Sequence, residues 1–299
     1  MSPTQTEMIP LLWTVKDRGI FMASLQQFEE SLKHKTIITG CKIAILSGST
    51  TSLVSRLLKL FLLNNGIKAE ILEGHFGNFF IDAMNPSAEL IAFEPDVIYI
   101  HSSRVNLKSF GNLRSFEASD DGHSLVDNEV SQSLKIWKSL SDKFDCWVIH
   151  NNFDLSPESP LGNSEATEDF GHNYATTEIN RRLVSESKNF AQVLIHDLNS
   201  LSASIGLDEW WSSRDWIQYG LAVSTMAHPR LGFSLASVIT SVLGESKKCL
   251  VLDFDNTLWG GVIGEVGING IELGPDSSRG KAFIEFQLTI KDLASRGVL

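Results

Sequence analysis

Five short apolar runs recur along the chain: Lys42–Ser47, Lys68–Leu72, Val97–His101, Cys146–His150 and Val193–Leu198. Strands buried on both faces look like this, because neither face needs polar residues. Helical spacing fills the intervals. Leu53–Leu63 is amphipathic and stops at Asn64-Asn65-Gly66, and Leu125–Leu140 repeats the pattern. Thr176–Phe190 is a polar-faced helix, and Leu231–Leu243 is the last before Gly244-Glu245-Ser246. Strands alternating with helices predict an α/β domain of three layers, a parallel sheet between two helical faces. Ahead of it, Met1–Gly40 reads as a helical prelude, with Phe21, Leu25, Phe28 and Leu32 three and four apart. Ser156–Asn173, rich in Pro, Gly, Ser, Asn and acid, reads as a long loop.

A second unit begins near Lys247. The apolar run Cys249–Leu252 leads into Asp253-Phe254-Asp255-Asn256-Thr257-Leu258, then Trp259-Gly260-Gly261-Val262-Ile263-Gly264-Glu265. As the end of a strand, this places Asp253 and Asp255 on one side. A bare pair of aspartates can be no more than a solvated strand end. Paired carboxylates at the carboxyl edge of a parallel sheet also suit phosphoryl chemistry. One attacks phosphorus; the other exchanges a proton with the leaving group or water. Two such charges call for a divalent cation, and hard oxygen ligands beside a phosphate favour Mg²⁺. Asn256, Thr257, Gly260 and Gly261 are the candidate phosphate-binding residues, and Asp253 and Asp255 the candidate metal ligands.

The string from Lys247 to Glu265 resembles motif I of the haloacid dehalogenase-like superfamily and the flap after it, in the branch of FkbH-like, IIIC-type phosphatase-like proteins. Val266 departs from it, standing where an acidic residue is expected. The resemblance implies the start of a Rossmannoid domain over residues 247–299. The phosphate-gripping Ser/Thr, the steadying Lys and further acidic metal ligands lie later in the family, so the chain is expected to be truncated and inactive as it stands. It implies Asp253 as nucleophile, Asp255 as acid then base, and Mg²⁺ on the Asp253 carboxylate and the Asp255 main-chain carbonyl. The expected partner is a phosphorylated small molecule. FkbH-like relatives are associated with loading a glyceryl unit onto an acyl carrier protein in polyketide biosynthesis; others are phosphatases or serve surface-polysaccharide pathways.

In parallel sheets, ligands sit beyond the carboxyl ends of the strands. There the chain places Ser47-Gly48-Ser49-Thr50-Thr51, His101-Ser102-Ser103, His150-Asn151-Asn152 and His196-Asp197, with Ala227-His228-Pro229 later. Ser49, Thr50, His101, Asn151 and His228 form a candidate pocket, with solvated strand ends as the plainer explanation. Residues 41–244 look like the SGNH-hydrolase-like, flavodoxin-like domain that precedes the phosphatase-like domain in FkbH-like proteins. The family's Gly-Asp-Ser is here Gly48-Ser49-Thr50, and its Asp three residues before the late His is Thr225. Without an orienting carboxylate His228 is a poor base. An esterase is therefore disfavoured, and a module that binds a carrier protein or sugar is the alternative for this domain.

A net charge of −11 argues against nucleic acid or an anionic membrane as partner. No run of some eighteen apolar residues and no secretory pattern occurs, and Cys41, Cys146 and Cys249 lack paired spacing. Each cysteine is expected in or beside a buried strand, as a reduced thiol in the cytoplasm.

Overall fold

The computed structural model describes residues 12–107, 122–168 and 171–299. The first residues of the prelude and two residues of the 156–173 loop therefore lie outside the described part. The chain divides into two units, Met1–Val242 and Leu243–Leu299.

In the first unit, β1 (Thr39–Ser47), β2 (Ile67–Glu73), β3 (Val97–His101), β4 (Trp147–Asn151) and β5 (Val193–His196) form one sheet. The order is β2-β1-β3-β4-β5 and every pairing is parallel. This is the doubly wound, flavodoxin-like order, whose direction reverses between β1 and β3. All of β3 and residues 43–47 of β1 are buried, which is why both appear as unbroken apolar runs. Edge strand β2 alternates instead, with Lys68, Glu70 and Glu73 on its less buried positions. Charges there discourage pairing with another chain.

The prelude is helical where described: α1 (Val15–Ala23) and α2 (Leu25–Ser31) meet at Ser24. Phe21, Leu25, Phe28 and Leu32 are all buried, and Phe21 stacks on Phe61 at 5.6 Å. The longer helices that follow are α3 (Ser52–Asn64), α6 (Gly122–Lys143), α7 (His172–Ser187) and α10 (His228–Val242). Between them, α4 (Phe79–Met84), α5 (Ala88–Phe93), α8 (Leu198–Ile205) and α9 (Ser213–Tyr219) are too brief for periodicity to reveal.

One face of the sheet carries Ala44, Leu46, Ile98, Ile100 and Val148. They pack with Val130 and Trp137 of α6 and with Ile179 and Leu183 of α7. Each Val, Leu or Ile side chain among them contributes about 1.5–3 kcal/mol on leaving water. On the other face, α3 buries Val54, Leu57, Leu58 and Phe61. It lies against α10, where a Cβ added to Gly232 would meet Leu57 Cβ at 2.8 Å. The helices approach more closely than a larger residue would permit.

The 156–173 stretch is not all loop: Ser164–Thr167 is a helical turn, and α7 begins at His172. The last helix of this unit starts at His228, not Leu231, because Pro229 fits a first turn, where no amide hydrogen bond is owed.

In the second unit α11 (Ser278–Ser295) is capped by Ser277, whose hydroxyl accepts from Gly280 N at 2.8 Å. The expected strand over Cys249–Leu252 is not formed, and Cys249 is exposed, not buried. A strand needs a ladder partner as well as apolar residues. Here the backbone bonds of the run are Leu250 N to Leu299 O at 2.7 Å and Leu299 N to Lys248 O at 2.9 Å. Val251 is 88% exposed.

Candidate functional site

Strand alternation decides which face each strand-end histidine serves. Tyr99 and His101 of β3 share a face with Asn151 of β4 and His196 of β5, since Asn151 and His196 are register partners. His150 faces the other way. Trp137 Nε1 donates to His150 Nδ1 at 2.9 Å, so the His150 proton sits on Nε2 and is donated to Ser102 Oγ at 3.0 Å.

On the first face Asn151 is the hub. Its Nδ2 donates to the Ser102 carbonyl at 3.0 Å, which fixes the amide orientation. Its Oδ1 then accepts from Tyr99 Oη at 3.0 Å and His196 Nδ1 at 2.9 Å. With Nδ1 protonated, His196 Nε2 accepts from Ser234 Oγ of α10 at 2.9 Å. His101 Nδ1 lies 3.0 Å from Tyr99 Oη and 3.2 Å from Asn151 Nδ2. Burial, with His228 and His196 nearby, pushes His101 down to about 3. Burial alone pushes His150 down to about 3, and burial against a weaker pull from Asp197 takes His196 to about 4. The network is neutral at pH 7.

The five strand-end candidates divide. His101 and Asn151 meet directly, and His228 lies close enough to His101 to oppose its protonation. Ser49 and Thr50 stand apart from the histidines in bonding. Ser49 Oγ has Ser47 Oγ at 3.4 Å, and the Thr50 hydroxyl donates to the Tyr219 carbonyl at 2.6 Å. Among the described residues no hydrogen bond joins either hydroxyl to a histidine. His228 Nδ1 donates to the Ser224 carbonyl at 2.8 Å, so a backbone dipole stands where a triad has a carboxylate. Burial, opposed by that carbonyl and by Asp215, sets His228 at about 4. Sequence spacing gave no sign of Asp215, which comes from α9 and accepts from Thr225 N at 2.7 Å. At the β1/β3 switch point a Cβ on Gly48 would sit 2.1 Å from Asn106 Nδ2, which donates to the Gly48 carbonyl at 3.0 Å. Glycine is what lets these two strand-end loops interlock.

In the second unit the motif is a tight turn. Asp253 is exposed, and its Oδ1 accepts from Phe254 N at 2.8 Å. Asp255 is half-buried; its Oδ1 accepts from Trp259 Nε1 and Ile263 N, both at 3.1 Å. Asn256 takes the left-handed conformation at φ 57°, which asparagine tolerates, and its Oδ1 accepts from Gly261 N at 2.8 Å. Gly260 exchanges two backbone bonds with Glu272, and Thr257 N donates to Phe254 O at 3.2 Å. Gln287 of α11 donates to the Leu258 carbonyl at 2.7 Å and ties helix to turn. The two aspartates thus differ: one is presented to solvent, the other is aimed by its own flap. Their donors, the Asp253 carboxylate and the Asp255 main-chain carbonyl, are hard oxygens that fit Mg²⁺ in kind. Among the described residues no group of three or more His, Cys, Asp or Glu could hold a metal ion. Water and substrate phosphate oxygens are the usual remaining ligands of such an ion.

The N-terminal part of a Bacteroides fragilis protein, containing a phosphatase domain and complexed with Mg, has a similar structure. The TM-score is 0.77 at 25% identity, over 96% of this chain and 72% of that one. A lipase/acylhydrolase from Enterococcus faecalis has a TM-score of 0.39 at 16% identity, over 68% of this chain and 96% of its own. Axe2, an acetylxylan esterase from Geobacillus stearothermophilus, has 0.39 at 12%, over 67% and 94%. Scores this low say nothing of activity. Among curated proteins none matches. The model of the FkbH N-terminal domain matches residues 42–240, which contain the whole histidine network and both halves of the switch point. The chain therefore belongs to the FkbH family.

Proposed function

We propose that the intact protein performs Mg²⁺-dependent phosphoryl chemistry with Asp253 as nucleophile. The observation that carries this is the pairing of an exposed Asp253 with an Asp255 oriented by Trp259 Nε1 and Ile263 N. The similar Bacteroides protein, with its phosphatase domain and Mg, supports it. In the first step an Asp253 carboxylate oxygen attacks phosphorus. The bond from phosphorus to the leaving oxygen breaks, and Asp255 gives that oxygen a proton. In the second, water attacks the aspartyl phosphate, passes its proton to Asp255 and releases phosphate. Bound at this site, Mg²⁺ neutralises charge on the phosphoryl oxygens. Asn256 and the amides of the glycine turn at Gly260 and Gly261, with the Thr257 hydroxyl, are the proposed phosphate contacts.

The finer proposal, which the family resemblance supports, is glyceryl loading onto an acyl carrier protein in the cytoplasm, from a phosphorylated three-carbon donor. Mass spectrometry of a carrier protein incubated with such a donor separates this from plain phosphatase action. The first unit is proposed as a recognition module. The Thr50 proton is committed to a backbone carbonyl, and among the described residues no base is bonded to Ser49. To test the nucleophile, the intact protein is denatured during turnover of a labelled phosphate ester. A label on Asp253 that hydroxylamine removes, absent from Asp253→Asn, is expected. Its absence under burst conditions contradicts the mechanism.

A further inference from the structure

Beyond the carboxyl end of β3, Arg104 is enclosed at 6% exposure, with Asp154 at 0% beside it. Asp154 is well provided for. Its Oδ1 accepts from Arg104 N at 3.0 Å, its Oδ2 from Trp210 Nε1 at 3.1 Å. The guanidinium is not. Its Nε stands 3.5 Å from Asp154 Oδ2, and neither Nε nor Nη2 has a hydrogen-bond partner among the described residues. The group is nonetheless held firmly, because its carbon lies 4.1 Å from the centre of the Trp211 ring. Adjacent tryptophans hold the pair. Trp210, fully buried, fixes the acid, and Trp211 covers the base. Trp216 lies beside them, its ring 6.3 Å from that of Trp211 and tilted from it by 39°.

A buried arginine with unpartnered nitrogens is costly unless something arrives to accept its protons. Arg104 lines a cavity of about 400 Å³ together with Ser156, His172, Trp211, Trp216 and Glu158. That volume falls in the range of small-ligand sites, and the lining joins flat aromatic surface to one fixed cation. A guanidinium covered by an aromatic ring keeps N–H donors that can meet a carboxylate or phosphate with paired hydrogen bonds. Glu158 is the one acidic lining residue; it is exposed, and its own amide is bonded to Ser156 Oγ at 3.2 Å.

We propose that this cavity is a binding site for the oxyanion of a small acid, a carboxylate or a phosphate monoester, paired with Arg104 while the apolar part lies against the tryptophans. It is separate from the histidine network and stands independently of the chemistry assigned to Asp253. The test uses the 299-residue chain with Asp253→Asn, in metal-free buffer, and binding at this cavity is the part that responds to substitution of Arg104 in that background. Phenyl phosphate, benzoate and neutral benzyl alcohol are titrated in, followed by calorimetry and tryptophan fluorescence. Saturable binding of either acid, with none of the alcohol, is expected. Arg104→Lys keeps the charge but loses the fork and the stack, and should weaken the acid about tenfold. Glu158→Gln removes the repelling charge and should tighten it about threefold. Which acid binds identifies the source of the oxyanion. Equal response to acid and alcohol overturns the proposal, as does unchanged affinity in folded Arg104→Lys. Should that variant fail to fold, unchanged affinity in Glu158→Gln overturns it instead.

Discussion

The histidines of the first unit and the aspartates of the second are both titratable groups placed at the ends of apolar runs, yet they are held in opposite ways. His101, His150, His196 and His228 are at most 2% exposed, and tyrosine, asparagine, serine, tryptophan and backbone groups hold their ring nitrogens. Asp253 faces solvent with a single backbone bond to its neighbour. Groups kept neutral by burial and spent on each other rigidify a sheet edge, whereas a carboxylate left accessible can attack. The difference favours the proposed division, with position and recognition in the first unit and chemistry in the second.

The largest contrast between the two units is expected from Asp255→Asn. Losing the proton carrier should cut turnover of a phosphate ester by about 10²–10⁴-fold while leaving the melting temperature of the intact protein near wild type. Next comes Trp210→Ala, expected to cost about 3–5 kcal/mol in urea unfolding, since it opens a cavity and strips buried Asp154 of a donor.

Acid should then distinguish the two regions. His101 and His150 are pushed to about 3, and His196 and His228 to about 4. Unfolded, each titrates near 6.5. Above that value neither state binds the protons, and no pH dependence arises from them. As pH falls below it the unfolded chain takes up protons that the fold excludes. Stability is therefore lost between about pH 6.5 and 4, by up to about 1.4 kcal/mol per pH unit for each histidine. Asp154, its pKa raised mainly by burial, opposes the trend at lower pH. Urea midpoints at pH 7, 6 and 5 check this; a flat profile would mean the network accepts protons. The smallest effect is Ser234→Ala, which leaves His196 Nε2 without its donor and should cost about 1 kcal/mol in the same assay.

Much of the sheet was legible. β1 and β3 are buried on both faces, so apolar residues run on without interruption. The strand-end positions of the histidines followed from that. Their bonding did not, because Asn151 and His196 are 45 residues apart and meet only through register. Arg104, Asp154 and Trp210 were invisible for the same reason: three segments far apart in sequence converge, and no spacing records it. Cys249–Leu252 fails in the opposite direction. Its apolar pattern is that of a strand, but pattern alone supplies no neighbour to pair with. The side chains of Asp255 and Asn256 find their partners within eight residues, and that is why a short motif could point to them.

The most direct measurement is the turnover of a generic phosphate ester with Mg²⁺ by the intact protein, compared with Asp253→Asn and His228→Ala. A loss of at least about 10³-fold is expected for Asp253→Asn, and a rate within roughly twofold of wild type for folded His228→Ala. A near-normal rate in Asp253→Asn, or its collapse in a folded His228→Ala, would contradict it and move the chemistry to the first unit.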